Sequence, residues 1–315
     1  MKSDTNYIDE IKRIKEAKNA LILAHYYQTA DIQDLADFTG DSLALSQKAA
    51  ENDADIILFA GVKFMAETAK ILAPHKKVLL PDTDAGCSLA DSCKADDFVK
   101  FIREHPGRTV ITYVNTTAEI KALSDICCTS SNAVDIVNSL PADEKILFAP
   151  DRNLGNYVLN KTGRDIVVWN GTCHVHEEFS LEAILMLKEE YPEAMVIVHP
   201  ECELPVRMIA DFIGSTSALI KFTKTDNAEC YIVATEPGII HQMKKEMPGK
   251  QYIPAPPRDS TCGCSECNFM KLITVEKIYN CLINEKPEVL VDQNIIKDAF
   301  KPIKRMMDIS KKYGF

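Results

Sequence analysis

Apolar positions along the chain fall into short continuous runs separated by polar loops, and one succession of runs and loops occurs three times. The first copy opens with Leu21-Ile22-Leu23-Ala24-His25-Tyr26-Tyr27, the pattern of a buried strand. A short helix over 31–38 follows, and Gly40-Asp41-Ser42 opens a second helix. The second copy runs through Val110-Ile111-Thr112-Tyr113-Val114-Asn115 to Cys128-Thr129-Ser130, and the third through Val196-Ile197-Val198-His199-Pro200-Glu201 to Gly214-Ser215-Thr216. Counting from His25, Tyr113 and His199, ten residues reach Leu35, Leu123 and Ile209, and seventeen reach the hydroxyls of Ser42, Ser130 and Thr216, without a gap. The second halves match as well: Ile57-Leu58-Phe59-Ala60, Ile146-Leu147-Phe148-Ala149 and Tyr231-Ile232-Val233-Ala234 each precede a helical stretch.

Each copy therefore reads strand, two helices, strand, helix, strand, cysteine, helix, in about 85 to 90 residues. Fully apolar strands that alternate with helices belong in parallel sheets covered on both faces. The expected fold is α/β: three pseudo-three-fold-related αβα sandwich domains, with parallel sheets, around a central active site. The pattern places repeats at 19–106, 107–194 and 195–284, with terminal helical extensions at 1–18 and 285–315. A helix over 294–311 is expected to pack across the three.

Composition narrows the class. No stretch approaches the roughly 20 apolar residues of a membrane span, and the first residues carry Ile8, Ile11 and Ile14 at helical spacing, which reads as a surface helix rather than an export signal. A cytoplasmic location is the expectation. The 46 acidic against 36 basic residues give a formal charge of −10, which argues against a nucleic-acid surface and for small-molecule partners. Eleven cysteines in a reducing compartment point to metal ligation or catalysis for some, and to ordinary packing for most. Cys127, Cys128, Cys202, Cys230 and Cys281 fall within expected elements and read as packing residues.

Ligands of parallel αβ units bind at the carboxyl ends of the strands. That rule gathers His25 and Tyr27, Tyr113 and Asn115, and His199 and Glu201, together with Ser42, Ser130 and Thr216. These last open helices, where backbone N–H groups favour anions, although hydroxyl residues at such places also serve as plain caps. The apolar run in each copy that precedes a cysteine loop brings Cys87, Cys173 and one of Cys262, Cys264 or Cys267 to the same end. The distance from strand-end residue to cysteine is 62 and 60 residues in the first two copies and 63, 65 or 68 in the third. Three thiolates can hold an iron-sulfur cluster with one iron open to substrate. Structural zinc is the rival, but it needs four ligands, and beyond Cys267 only Cys281 follows. Equivalence under the repeat favours a functional role for His25 and His199; Glu201 suits a base, and His174 and His176 flank a proposed ligand. His75, His105 and His241 read as surface residues.

These motifs, with Gly171-Thr172-Cys173 followed by His176, the run Ala210-Asp211-Phe212-Ile213-Gly214-Ser215-Thr216-Ser217, and the late cysteine cluster, resemble the quinolinate synthase family over essentially the whole chain. The resemblance implies an oxygen-labile 4Fe-4S cluster held by one cysteine from each domain: Cys87, Cys173 and Cys267, the last because it directly precedes an aromatic-Met run. Asn268 stands where the family often has proline. The implied reaction condenses iminosuccinate (iminoaspartate) with dihydroxyacetone phosphate, releasing phosphate and two waters. By the same resemblance His25, Ser42, Tyr113, Asn115, Ser130, His199, Glu201 and Thr216 contact iminosuccinate or an intermediate, with Val114 and Pro200 between them in the same strand-end motifs. Tyr27 and Glu201 take part in proton transfers, and His176 lies near the phosphate-bearing substrate. Functional coupling to an L-aspartate oxidase or dehydrogenase is expected by analogy. Two other readings are an aconitase-like iron-sulfur hydro-lyase and a non-enzymatic cluster carrier or sensor.

Overall fold

The computed structural model describes residues 4–259 and 265–314. Among the described residues twelve strands form three four-stranded sheets, and every strand pairing within the sheets is parallel. The first sheet holds β1 (Ala20–His25), β2 (Phe38–Gly40), β3 (Ile56–Ala60) and β4 (Lys77–Leu79). The second holds β5 (Thr109–Tyr113), β6 (Ile126–Cys128), β7 (Ile146–Ala149) and β8 (Ile166–Val168). The third holds β9 (Met195–Val198), β10 (Phe212–Ile213), β11 (Cys230–Ala234) and β12 (Gln251–Pro254). The spatial orders are β2-β1-β3-β4, β6-β5-β7-β8 and β10-β9-β11-β12, one topology used three times. Helices cover both faces, as the uninterrupted apolar runs require: all five residues of β3 and all four of β7 are buried.

The repeat reaches single contacts. Asp37 Oδ2 accepts the Ile22 N–H at 2.9 Å, Asp125 Oδ2 the Val110 N–H at 2.8 Å, and Asp211 Oδ2 the Val196 N–H at 2.7 Å. In each unit a carboxylate fifteen residues on ties the central strand to the next segment, and that segment is a strand the sequence reading did not separate. β2, β6 and β10 are two or three residues long, too short for a period-two pattern to show, so the first unit's expected helix over 31–38 ends at Leu35 and gives way to β2.

The helix starts also differ from expectation. Asp41 and Ser215 are the caps, accepting the Ala44 and Ala218 N–H groups, and Ser42 and Thr216 are the first helical residues. Ser130 lies in the turn before the helix Ala133–Asn138. Ser42 and Thr216 therefore leave capping to their neighbours, and the helix after Ser130 has no side-chain cap. Asp41, Ser131 and Ser215, one from each unit, meet through the Ser131 hydroxyl at 2.8 and 2.9 Å.

The terminal helices join units rather than capping them. The helix Asp4–Ala17 buries Ile11 completely and packs on the helix Val275–Asn284 and on β1. The C-terminal helix spans Gln293–Tyr313 and lies on the helices Lys63–Leu72, Ala118–Ala122 and Ala133–Asn138 and on β6, that is, on the first two units. Its buried stripe of Ile296, Ala299, Ile303 and Met306 follows helical spacing. Cys127, Cys128 and Cys281 are buried in their elements as expected; Cys202 is buried too, but in the turn after β9. Among the described residues no helix is long and apolar enough to cross a membrane.

Candidate active site

The carboxyl ends of the three sheets enclose a cavity of about 680 Å³, part of it open to solvent. Its wall includes His25, Tyr27 and Ser42 from the first unit, Tyr113, Asn115 and Ser130 from the second, and His199, Glu201 and Thr216 from the third. Cys87, Cys173 and Cys267 line it, as does His176. Phe64, Met65, Phe269 and Met270 supply an apolar side. Val114 lines a smaller neighbouring cavity instead, and Pro200 a separate cavity beside it. Cys262 and Cys264 lie outside the described residues.

Strand geometry positions these groups. His25 and Tyr113 end β1 and β5, and His199 follows β9, so each side chain stands at the mouth of its sheet. In the first and third units the imidazole Nδ1 accepts the N–H two residues on, Tyr27 N–H at 3.2 Å and Glu201 N–H at 3.4 Å. Burial pushes His25 down to about 4 and His199 down to about 3, so both rings are neutral. A neutral ring that accepts at Nδ1 carries its proton on Nε2, so two N–H donors are fixed for a ligand; His199 Nε2 stands 3.3 Å from Ser130 Oγ.

Glu201 is the charge among them. Burial alone would raise its carboxyl, but the His176 ring outweighs that, with the Tyr113 hydroxyl adding to it, and holds the group down to about 2. Tyr113 Oη donates to Oε1 at 2.5 Å, and His176 Nδ1 stands 3.3 Å from Oε2. Burial, reinforced by the Glu201 charge, pushes the Tyr27 and Tyr113 hydroxyls well above the usual phenol range, so both keep their protons.

Two buried carboxylates that the sequence reading passed over hold the cysteine loops. Asp151 caps the helix Arg152–Thr162 and accepts the Cys173 N–H at 3.0 Å. Glu236, fully buried, pairs with Lys271 at 2.8 Å and accepts the Cys267 N–H at 3.5 Å. Both sit two residues beyond a central strand end, Ala149 and Ala234; the same step from Ala60 gives Val62. Extending the repeat alignment by one residue past Pro150 and Thr235 would have found them.

The residues fit a metal-based group. Burial pushes the Cys87 thiol up to about 12 and the Cys267 thiol up to about 11, and Cys173 well above the thiol range, with neighbouring cysteine and glutamate charges adding to it. Backbone N–H groups and, at Cys267, Lys271 offset this only in part, whereas a polycation would stabilise three thiolates together. Among the described residues, Cys173, His176 and Glu201 bring three ligand atoms within 4.8 Å of one another; the three cavity thiols do not form such a group, so they suit something larger than a single small ion. Asn115 Oδ1 and Thr129 Oγ1 are buried at this cavity without a hydrogen-bond partner, and unpartnered buried polar atoms mark a place for a ligand.

The fold and the cavity define an enzyme that works on small molecules at the junction of three αβα units, beside a cluster of side chains able to hold metal. The family model of the quinolinate synthetase A protein matches residues 9–308, and quinolinate synthases from Thermosynechococcus vestitus and Synechocystis sp. are each 57% identical, over 300 and 303 residues, covering 95% and 96% of this chain and 94% and 95% of theirs. The chain belongs to the quinolinate synthase family.

Proposed function

We propose that this chain condenses iminosuccinate with dihydroxyacetone phosphate to give quinolinate, phosphate and two waters, in the aspartate route to NAD, in the cytoplasm. Cys87, Cys173 and Cys267 hold a 4Fe-4S cluster for this reaction. The observation that carries the reading is the arrival of one cysteine from each repeat at a single cavity whose polar wall keeps unpartnered atoms. When bound, a cluster with three protein thiolates supplies an iron with an open position, a Lewis acid toward a substrate oxygen or nitrogen.

The chain's own residues do the rest. The Nε2–H groups of His25 and His199 and the hydroxyls of Ser42, Ser130 and Thr216 bind carboxylates, with Asn115 among them. Tyr113, held by Glu201, directs its hydroxyl at the same site. Glu201, charged at neutral pH, takes up a proton; Tyr27, neutral, moves one at its Oη. His176 serves the phosphate-bearing substrate. The apolar side formed by Phe64, Met65 and Phe269 excludes water from an imine that hydrolyses readily. An L-aspartate oxidase or dehydrogenase would supply iminosuccinate.

Anaerobic purification with iron and sulfide counts, followed by product analysis, tests the reading. About four of each per chain and quinolinate formed only when both substrates are present support it. Water loss from a hydroxy acid without dihydroxyacetone phosphate would favour the hydro-lyase instead, and a cluster whose spectrum ignores added substrate would favour a carrier.

A further inference from the structure

Lys121, on the helix Ala118–Ala122 of the second unit, is cut off from solvent entirely and takes no part in the chemistry above. Glu67, 8% exposed, approaches it from the helix Lys63–Leu72 of the first unit, and the C-terminal helix lies on both helices. Buried charges of this kind need partners. Burial pushes the Lys121 amine down, and of the two carboxylates that oppose this, Glu67 and Glu119, only Glu67 is buried. Burial pushes the Glu67 carboxyl up, and Lys121 leads the groups that oppose it, ahead of the exposed Lys63. Each charge is thus favoured by the other across the junction of two units.

What the two charges grip is a loop. Lys121 Nζ donates to Thr116 O, and Glu67 Oε2 accepts the Ala118 N–H at 3.1 Å. Thr116 is itself fully buried, and its hydroxyl donates to Tyr113 O at 3.0 Å. The segment between Tyr113 and Ala118 is thereby pinned on both sides, and Asn115 stands within it, its Oδ1 unpartnered at the cavity. The same ammonium lies 5.5 Å from the centre of the Phe64 ring, part of the cavity's apolar side. An apolar side chain at 121 would fill the space and leave the buried Thr116 carbonyl without this donor.

We propose that Lys121, with Glu67 as its counter-charge, is a positioning residue: it fixes the loop that presents Asn115 to the substrate. This rests on the substrate contact given above to Asn115. Neither Lys121 nor Glu67 lines the cavity, so both act through the loop and the Phe64 ring.

Lys121→Met keeps the length of the side chain and removes its donor and its charge. In anaerobically prepared, cluster-loaded enzyme it should raise KM for iminosuccinate about tenfold, as for one lost hydrogen bond, with bound iron at the parental value. It should also lower the melting temperature, because Glu67 is left without its counter-charge. Adding Glu67→Gln, which keeps an acceptor for the Ala118 N–H, should recover the melting temperature and leave KM raised, whereas a purely structural role would recover both. Should Lys121→Met alone fail to fold, this double variant carries the same KM comparison. In an Asn115→Ala background Lys121→Met should change KM by less than about twofold, because the two act as one unit. Parental KM in the double variant, a full tenfold rise on top of Asn115→Ala, a melting temperature that Glu67→Gln does not recover, or loss of iron in Lys121→Met would each overturn the proposal. A parent enzyme that forms no quinolinate would instead overturn the function on which it rests.

Discussion

Replacing Glu201 by Gln keeps the volume and removes the charge at the centre of the site. The carboxyl is 2% exposed and sits at about 2 instead of 4.5, a difference of about 2.5 units. At 1.36 kcal/mol per unit this amounts to about 3 kcal/mol of preference for the charged form in the fold. A depressed folded value means the contribution is present above the unfolded value near 4.5 and is lost as pH falls from there through 2. At pH 7 the variant should therefore be destabilised, its melting temperature down by about 5 °C for a chain of this size. The gap should hold down to about pH 5 and close below it. Loss of the base should also slow quinolinate formation by about 10²- to 10⁴-fold. Calorimetry of the cluster-free proteins across pH and steady-state assays of the loaded ones measure the two effects. Buried charges are often costly, and their removal stabilising; a Glu201→Gln protein that melts higher than the parent at pH 7 would show that His176 and Tyr113 do not offset the burial, and parental turnover would remove Glu201 from the chemistry.

Serine in place of Cys87, Cys173 or Cys267, one at a time, should lower bound iron and abolish turnover while circular dichroism stays native; iron retained in Cys267→Ser would move the third thiolate elsewhere. Burial, against the pull of Lys271, holds Glu236 up to about 7, so the stability it contributes is full below about 4.5 and lost as pH rises through 7. In cluster-free protein Glu236→Gln should flatten the fall in melting temperature between pH 5 and 8, and an unchanged slope would exclude Glu236 as its source. Asp151→Ala removes both a helix cap and the acceptor for Cys173 N–H, and should cost about 1 to 2 kcal/mol in denaturant titration and speed iron loss to a chelator.

The repeat was legible because it is written in apolar runs and in spacings that do not slip: His25, Tyr113 and His199 fall at the mouths of equivalent strands with no insertion among them. What stayed hidden acts through single polar contacts. β2, β6 and β10 are held by Asp37, Asp125 and Asp211, residues that look like surface carboxylates until their partners are known. Asp151 and Glu236 are buried acids next to apolar strands, and composition gives such residues to solvent. The hydroxyl positions were found, but their role as caps passed to the neighbours Asp41 and Ser215, a shift of one residue that propensity alone does not resolve.

Triplication also explains why the site is asymmetric. One αβ unit offers its sheet mouth a single thiol and one or two polar residues, too few to bind a substrate and a metal group together. Three copies around a common centre multiply each strand-end position, and each copy is then free to change. His25 and His199 share a ring geometry fixed by the same backbone N–H, while the second unit has Tyr113 there and turns it toward Glu201. The residue that supports the cysteine loop differs in the same way: Asp151 and Glu236 grip the loops of Cys173 and Cys267, and Val62 in the first unit leaves that position apolar. Instead, the Cys87 loop is tied back by Ala85 O, which accepts the Lys63 N–H at 2.8 Å, and by Ser88, whose hydroxyl meets His174 Nδ1 of the second unit at 2.7 Å. The first loop is thus held partly from its own unit and partly from the second, so the place of Cys87 depends on how those two units pack.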